Sequence, residues 1–315
     1  MTLALLFPGQ GSQTVGMGLD LAEAFAAARA VFEEVDDALD QRLFRLMNEG
    51  PIEDLTLTEN AQPALMAVSL ATMRVLETEF GFSVEKAAFV AGHSLGEYSA
   101  LAAAGSFSIG EAARLLRVRG LAMQRAVPVG EGAMASLIGP KTDVALAEAA
   151  AAEGAKIGVC VVANDNNAGN VVISGDKAAI DRAIEAAKAL GARAIPLNVS
   201  APFHCPLMQP AADAMAEALA EATIAPPRAP LVANVTARPV MDPNAIRRLL
   251  VEQVTGRVRW RESIAWLASD DGGVDRFAEV GVGKVLTGML KRIAPEAQGV
   301  ALNTPADLEA FAASL

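Results

Sequence analysis

The stretch Ala87-Ala88-Phe89-Val90-Ala91-Gly92-His93-Ser94-Leu95-Gly96 decides the fold. Ala87 to Ala91 is a short apolar run of buried-strand type, and Glu97 to Ala104 reads as helical. Between them, Gly92-His93-Ser94-Leu95-Gly96 matches Gly-x-Ser-x-Gly, the strand–turn–helix elbow that carries an exposed nucleophile. Glycines on both flanks let the backbone turn tightly and keep side chains clear of the serine. The turn lifts the Ser94 hydroxyl above a sheet. The Leu95 amide, at the start of the helix, then faces the place where an oxyanion would develop. The plainer alternative is a tight βα turn with a capping serine.

Upstream, Leu3 to Phe7 reads as a second buried strand, ending in the loop Pro8-Gly9-Gln10-Gly11-Ser12. A dinucleotide fingerprint fails there, because Thr14 holds the third glycine position. Gln10, between two glycines, offers an amide donor to a bound oxyanion, or simply sits in a tight turn. The pattern predicts a helix over Pro63 to Phe80, with Gly81 as its stop signal. Ser108-Ile109-Gly110-Glu111 fits a capping box for a helix running to about Arg125.

From Pro128 to Pro196 the rhythm changes. Strands are expected at 133–138, 157–162, 171–174 and 193–197, with helices at 143–152 and 176–190 and a polar turn at 164–170. The order β-α-β-β-α-β is that of a ferredoxin-like lobe. The expected domains are a core of residues 1–127 and 198–315, interrupted by a lobe of residues 128–197. Beyond it come a loop with His204, a helix near Leu207 to Glu221, a strand at Leu231 to Asn234, a helix opened by Asp242-Pro243, a strand at Phe277 to Val280 and a helix at Lys284 to Ile293.

Composition narrows the function. Hydrophobic residues make up 52% and charged residues 20% of 315, so the chain can bury a core and is not disordered. With 26 Lys and Arg against 37 Asp and Glu, the net charge is −11. A polyanion needs a basic face, so nucleic acid is excluded as a non-specific partner. Cys160 and Cys205 are far apart and form neither a disulfide framework nor a metal-binding pair, which points to a reducing, cytoplasmic setting. Met1 to Phe7 lacks the basic segment of a signal peptide. Ala194 to Ala212 is free of charge but contains four prolines, so no membrane helix is expected. No apolar helix face stands out as exposed, and a monomer is expected.

A serine hydroxyl needs a base. The chain has two histidines, His93 and His204. His93 lies inside the turn, with its neighbours pointing elsewhere, which leaves His204 in the loop Ala201-Pro202-Phe203-His204-Cys205-Pro206. A purely structural histidine is the alternative. Cys205 competes as a nucleophile on paper but reads as a small buried thiol. The acids considered for orienting the base, Asp143, Asp165 and Asp176, fall in the lobe, and none is well placed. Gln253 lies within the apolar stripe Ile246, Leu249, Leu250, Val254, so its amide either serves the catalytic loop or bonds a backbone group. Arg119 falls among Ala112, Leu115, Leu116, Met123 and Ala126, apart from Arg114, Arg117 and Arg125. An inward guanidinium needs an anion: a substrate carboxylate, or a buried structural partner unless it snorkels out. Two basic stretches, Arg257/Arg259/Arg261 and Lys284/Lys291/Arg292, are solvated faces or a landing patch for an acidic partner or a phosphorylated cofactor.

Five segments occur together in order: Phe7-Pro8-Gly9-Gln10-Gly11-Ser12-Gln13, Gly92-His93-Ser94-Leu95-Gly96-Glu97-Tyr98, Arg119-Gly120 with Met123-Gln124, Ser200-Ala201-Pro202-Phe203-His204, and Gly283-Lys284-Val285-Leu286-Thr287. Jointly they resemble the malonyl-CoA:acyl carrier protein transacylases of fatty acid synthesis, over essentially the whole chain. The resemblance implies an α/β-hydrolase-like core with a parallel sheet and a ferredoxin-like insertion. It implies that Ser94 takes malonyl as an ester and that His204 is base, then acid. It implies that Arg119 binds the free carboxylate and that the Gln10 and Leu95 amides form the oxyanion hole. Gln253 matches the glutamine beside the histidine, where neutral acceptors replace an aspartate. Phe203 matches a position where relatives taking malonyl tend to carry Phe and those taking methylmalonyl Ser. Coenzyme A thioester and acyl carrier protein are the implied partners, with no cofactor and no metal. A serine esterase or lipase on a related core, an acyltransferase for another acyl-CoA, and an inert binding lobe of a larger synthase are the competing readings.

Overall fold

Strict alternation builds the central layer. Leu3–Phe7 forms β1, with Leu3, Leu5 and Phe7 facing one hydrophobic cluster and Ala4 and Leu6 the other. Both faces of a parallel sheet are covered by helices, so every residue of such a strand is apolar. The computed structural model describes all 315 residues. The other strands are β2 (Phe89–Gly92), β3 (Gly132–Ile138), β4 (Cys160–Asn167), β5 (Asn170–Asp176), β6 (Arg193–Pro196), β7 (Leu231–Val232), β8 (Pro239–Val240), β9 (Arg276–Val280) and β10 (Gln298–Leu302).

Two sheets result. The larger runs β10-β9-β1-β2-β7-β8, parallel except for the β7–β8 hairpin pair. The smaller runs β4-β5-β3-β6, antiparallel throughout. With helices Val144–Gly154 and Lys177–Ala189 between its strands, the smaller sheet has the split β-α-β arrangement expected of residues 128–197. Its two faces differ in use. Ala135, Leu137 and Ile173 pack on those two helices. Met134, Ala163 and Val172 face the other way, against Leu197, Val199 and Phe203. That second face closes over the carboxyl ends of β1 and β2, the usual place for a ligand on a parallel sheet.

Three local expectations need correction. The helix expected from Pro63 runs over Thr58–Phe80, so Pro63 lies inside it rather than in its first turn. Its opening turn is buried through polar residues, Thr58, Asn60 and Gln62, which an apolar-stripe reading passes over. The polar stretch from Asn164 is strand as far as Asn167, not turn; Asp165 and Asn166 have side-chain partners in Arg261 and His93, and the strand carries two register shifts. Ser108 does cap helix Ile109–Ala126 by accepting from the Glu111 N–H, but the box is not reciprocal. The Glu111 carboxylate accepts from the Thr223 N–H instead, at 2.9 Å.

Candidate active site

The elbow is built as its glycines require. A Cβ on Gly92 would sit 1.9 Å from the Gly96 carbonyl, and one on Gly96 would sit 2.2 Å from the Phe7 oxygen. Only glycine permits that approach. Ser94 itself takes φ 54°, and His204 takes φ 57°. Both are left-handed values that ordinary residues avoid. Asn234, just after β7, clasps the turn: its Oδ1 accepts from the Ser94 N–H at 2.8 Å and its Nδ2 donates to the Gly92 oxygen at 2.6 Å.

Ser94 Oγ lies 2.7 Å from His204 Nε2. On the far side of the ring, Nδ1 is 2.9 Å from the Gln253 backbone oxygen. A carbonyl only accepts, so Nδ1 carries the proton and Nε2 presents its lone pair to the serine. Burial, reinforced by the Arg119 charge, pushes the His204 pKa down to about 3. The imidazole is therefore neutral at working pH. No carboxylate touches it. Asp143 caps helix Val144–Gly154, Asp165 pairs with Arg261, and Asp176 accepts from the Val159 N–H.

Arg119 is 1% exposed. Its Nη1 donates to Gln62 Oε1 at 2.9 Å, and its Nη2 donates to Gln253 Oε1 at 2.8 Å and to Ser94 Oγ at 3.1 Å. The inward orientation read from the helix wheel is correct. Its neighbours are neutral amides rather than a direct ion pair, and its Nε has no partner. Gln253 is fully buried and serves more groups than either sequence alternative allowed. Its backbone, not its amide, holds the histidine, while its Nε2 donates to the Ser94 backbone oxygen at 2.9 Å and to Glu97 Oε2 at 2.5 Å.

Ser94, His204, Arg119 and Gln62 line a cleft of about 300 Å³ that also includes Gln10, Leu95 and Phe203, while Gln253 and Glu97 lie buried behind its wall. The backbone N–H groups of Gln10 and Leu95 donate to no protein acceptor. Phe203 is half-buried against the open face of the small sheet. Cys205 is fully buried, its thiol bonded to the Pro202 oxygen and pushed up in pKa by burial. It is no rival nucleophile. His93 is held by Asn166 Oδ1 at 2.9 Å and lies beside the Trp260 ring.

Four residues of the site had been given no role from the sequence: Gln62, Glu97, Asn166 and Asn234. Glu97 carried a signal, being the one charge in the apolar helix Gly96–Ala103. The basic stretches also separate. Arg257, Arg259 and Arg261 are paired with Glu148, Glu262 and Asp165 at 2.6, 2.5 and 2.8 Å. Lys284, Lys291 and Arg292 are exposed and in no ion pair, on or beside helix Val285–Ile293, whose Val285, Leu286 and Met289 border the cleft.

A serine made nucleophilic by a neutral histidine, with two amides free to receive an oxyanion, is equipment for acyl transfer. On a parallel α/β sheet this arrangement is that of the enzymes that transfer acyl groups through a serine, to water or to another acceptor. Comparison with known proteins narrows the class. The acyl transferase domain model matches residues 4–304. The malonyl CoA-acyl carrier protein transacylase of Escherichia coli strain K12 is 46% identical over 310 residues, covering 98% of this chain and 97% of its own. The solved acyl-carrier-protein-S-malonyltransferase of Bartonella henselae superposes with a TM-score of 0.96 at 54% identity, covering 100% and 99% of the two chains. A malonyl-transacylase solved in complex with a type II PKS acyl-carrier protein gives 0.95 at 42%, covering both chains fully. The chain belongs to the malonyl CoA-acyl carrier protein transacylase family. No helix in it is long and apolar enough to cross a membrane.

Proposed function

We propose that this enzyme moves malonyl from coenzyme A to the phosphopantetheine thiol of an acyl carrier protein, in the cytoplasm and as part of fatty acid synthesis, through an ester on Ser94. The observation that carries this reading is the convergence of His204 Nε2 and Arg119 Nη2 on one hydroxyl, at 2.7 and 3.1 Å. Ser94 Oγ attacks the thioester carbonyl while Nε2 takes its proton. The carbonyl oxygen becomes an oxyanion received by the Gln10 and Leu95 amides. Collapse breaks the C–S bond, and the departing thiolate takes the proton from Nε2. The carrier thiol then repeats the sequence in reverse. Arg119 grips the free malonyl carboxylate, with Gln62 and Gln253 orienting its guanidinium. Phe203 fills space beside the acyl group. In this reading residues 128–197 form the lobe over the cleft, between the two parts of the core, 1–127 and 198–315. The thioester is a substrate, no cofactor or metal takes part, and the protein works as a monomer.

Incubation with a panel of acyl-CoAs, followed by intact-protein mass spectrometry, tests the reading. A malonyl adduct is expected on the wild type and none on Ser94→Ala. Rapid hydrolysis of simple esters without transfer to a thiol would favour an esterase instead, although the neutral acceptor at His204 Nδ1 already differs from a hydrolase triad. An adduct on Cys205, or no adduct from any acyl-CoA, would overturn the reading.

A further inference from the structure

The Arg119 charge sits in the core with only neutral groups in contact: two glutamine amides and a serine hydroxyl. Its compensating anion lies one amide away. Glu97, 1% exposed, accepts from Gln253 Nε2 at 2.5 Å, and the same amide offers Oε1 to Arg119 Nη2 at 2.8 Å. The backbone N–H of Asn234 is its other donor, at 3.4 Å. The amide can serve both only one way round, with nitrogen toward the carboxylate and oxygen toward the guanidinium. A buried cation and a buried carboxylate thus form one unit, joined through Gln253.

If Arg119 also receives a substrate carboxylate, as in the function proposed above on which this inference rests, one buried cation faces two buried anions. Removing charge from water is costly, and the surplus anion is relieved most simply by a proton. We infer that Glu97 is the internal counter-charge of Arg119 and must take up a proton when a carboxylate-bearing acyl group enters the site, so that this one buried side chain makes selectivity for such acyl groups dependent on pH.

The surroundings leave Glu97 free to do this. Burial pushes its carboxyl up to about 7, against the lowering influence of Gln253, Asn234 and Arg119. The other ionisable groups of the network keep their charge between pH 6 and 8. Tyr98, on the same helix, is pushed up by burial and stays neutral. His204, in the loop after β6, and His93, in the elbow, are pushed down by burial and stay neutral. Arg119, on helix Ile109–Ala126, is lowered from a value so high that it remains a cation.

The test is the ratio of Ser94 acylation rates with malonyl-CoA and acetyl-CoA, taken in one preparation from pH 6 to 8 by time-resolved intact-protein mass spectrometry. The fraction folded, the state of His204 and the ionisation of the coenzyme are common to both substrates and cancel. If the carboxylate enters only when Glu97 is protonated, the ratio falls about tenfold over that range. In Glu97→Gln it is flat. A flat ratio in the wild type overturns the inference, as does an undiminished slope in Glu97→Gln. Arg119→Ala separates the two levels of the argument. If that variant keeps its preference for malonyl, the proposed substrate contact itself fails. If it loses the preference while the wild-type ratio is flat, only the role of Glu97 fails.

Discussion

His204 and Glu97 are shifted in opposite directions by the same cause, burial, and their effects on stability oppose each other. The histidine is lowered from 6.5 to about 3, so between those values the unfolded chain binds the extra proton and stability falls as pH falls. The carboxylate is raised from 4.5 to about 7, so between those values the folded chain binds the extra proton and stability falls as pH rises. The two offset each other from about pH 4.5 to 6.5. Replacing the histidine should expose the carboxylate's effect. His204→Gln should gain stability relative to the wild type as pH falls from 6.5 to 4.5, read from urea midpoints. A constant difference across that range would show that the ring is protonated in the folded state as readily as in the unfolded one. At this scale the sequence was informative about Ser94, His204 and Arg119, because each is an oddity: a serine between glycines, one of only two histidines, a cation in an apolar stripe. It was silent on Asn234 and Gln62, which are ordinary amides until the fold brings them to the elbow and the guanidinium.

Elements enter the site through their ends. Gly96 opens its helix against the end of β1, where an added Cβ would meet two backbone oxygens, at 2.2 and 2.8 Å. Backbone cannot yield as a side-chain tip can. Gly96→Ala should therefore lose acyl-enzyme formation by orders of magnitude and lower the unfolding midpoint, checked by adduct mass and urea titration on the same sample. An unchanged adduct yield would mean that β1 and the elbow can move apart. The asparagine-rich end of β4 shows why its strand was misread. Polar residues in sequence suggest a turn, yet here Asn166 meets His93 and Asp165 meets Arg261. Their partners lie 73 and 96 positions away in the chain, and no local pattern reports that.

Over the whole molecule, the seam between the two sheets carries its own fastening. The Asp165 and Val258 backbones bond across it, and Arg261 reaches the fully buried Asp165 carboxylate at 2.8 Å. Breaking this pair leaves a buried charge without its partner. Arg261→Ala should cost about 2 to 3 kcal/mol in chemical denaturation, the upper figure being reduced because the arginine is partly exposed. It should also speed proteolysis within residues 132–196. A loss below about 0.5 kcal/mol would mean that water reaches Asp165. The bulk charge of −11 acquires a local meaning as well. Replacing Lys284, Lys291 and Arg292 by Gln should raise KM for an acidic carrier protein, more at low salt than at high, while slow hydrolysis of malonyl-CoA through the acyl-enzyme changes little. Equal KM values at low salt would place the carrier elsewhere.

The sequence by itself determined the layered α/β plan, the elbow and the inserted β-α-β-β-α-β rhythm. These rest on local rules: strand alternation, helix stripes and the backbone freedom of glycine. Only the tertiary structure decided which neutral acceptor holds His204, how Arg119 is balanced, and which basic residues remain free. Those outcomes depend on distances between groups far apart in the chain, and the cost of burying each charge is set by whatever the fold places beside it.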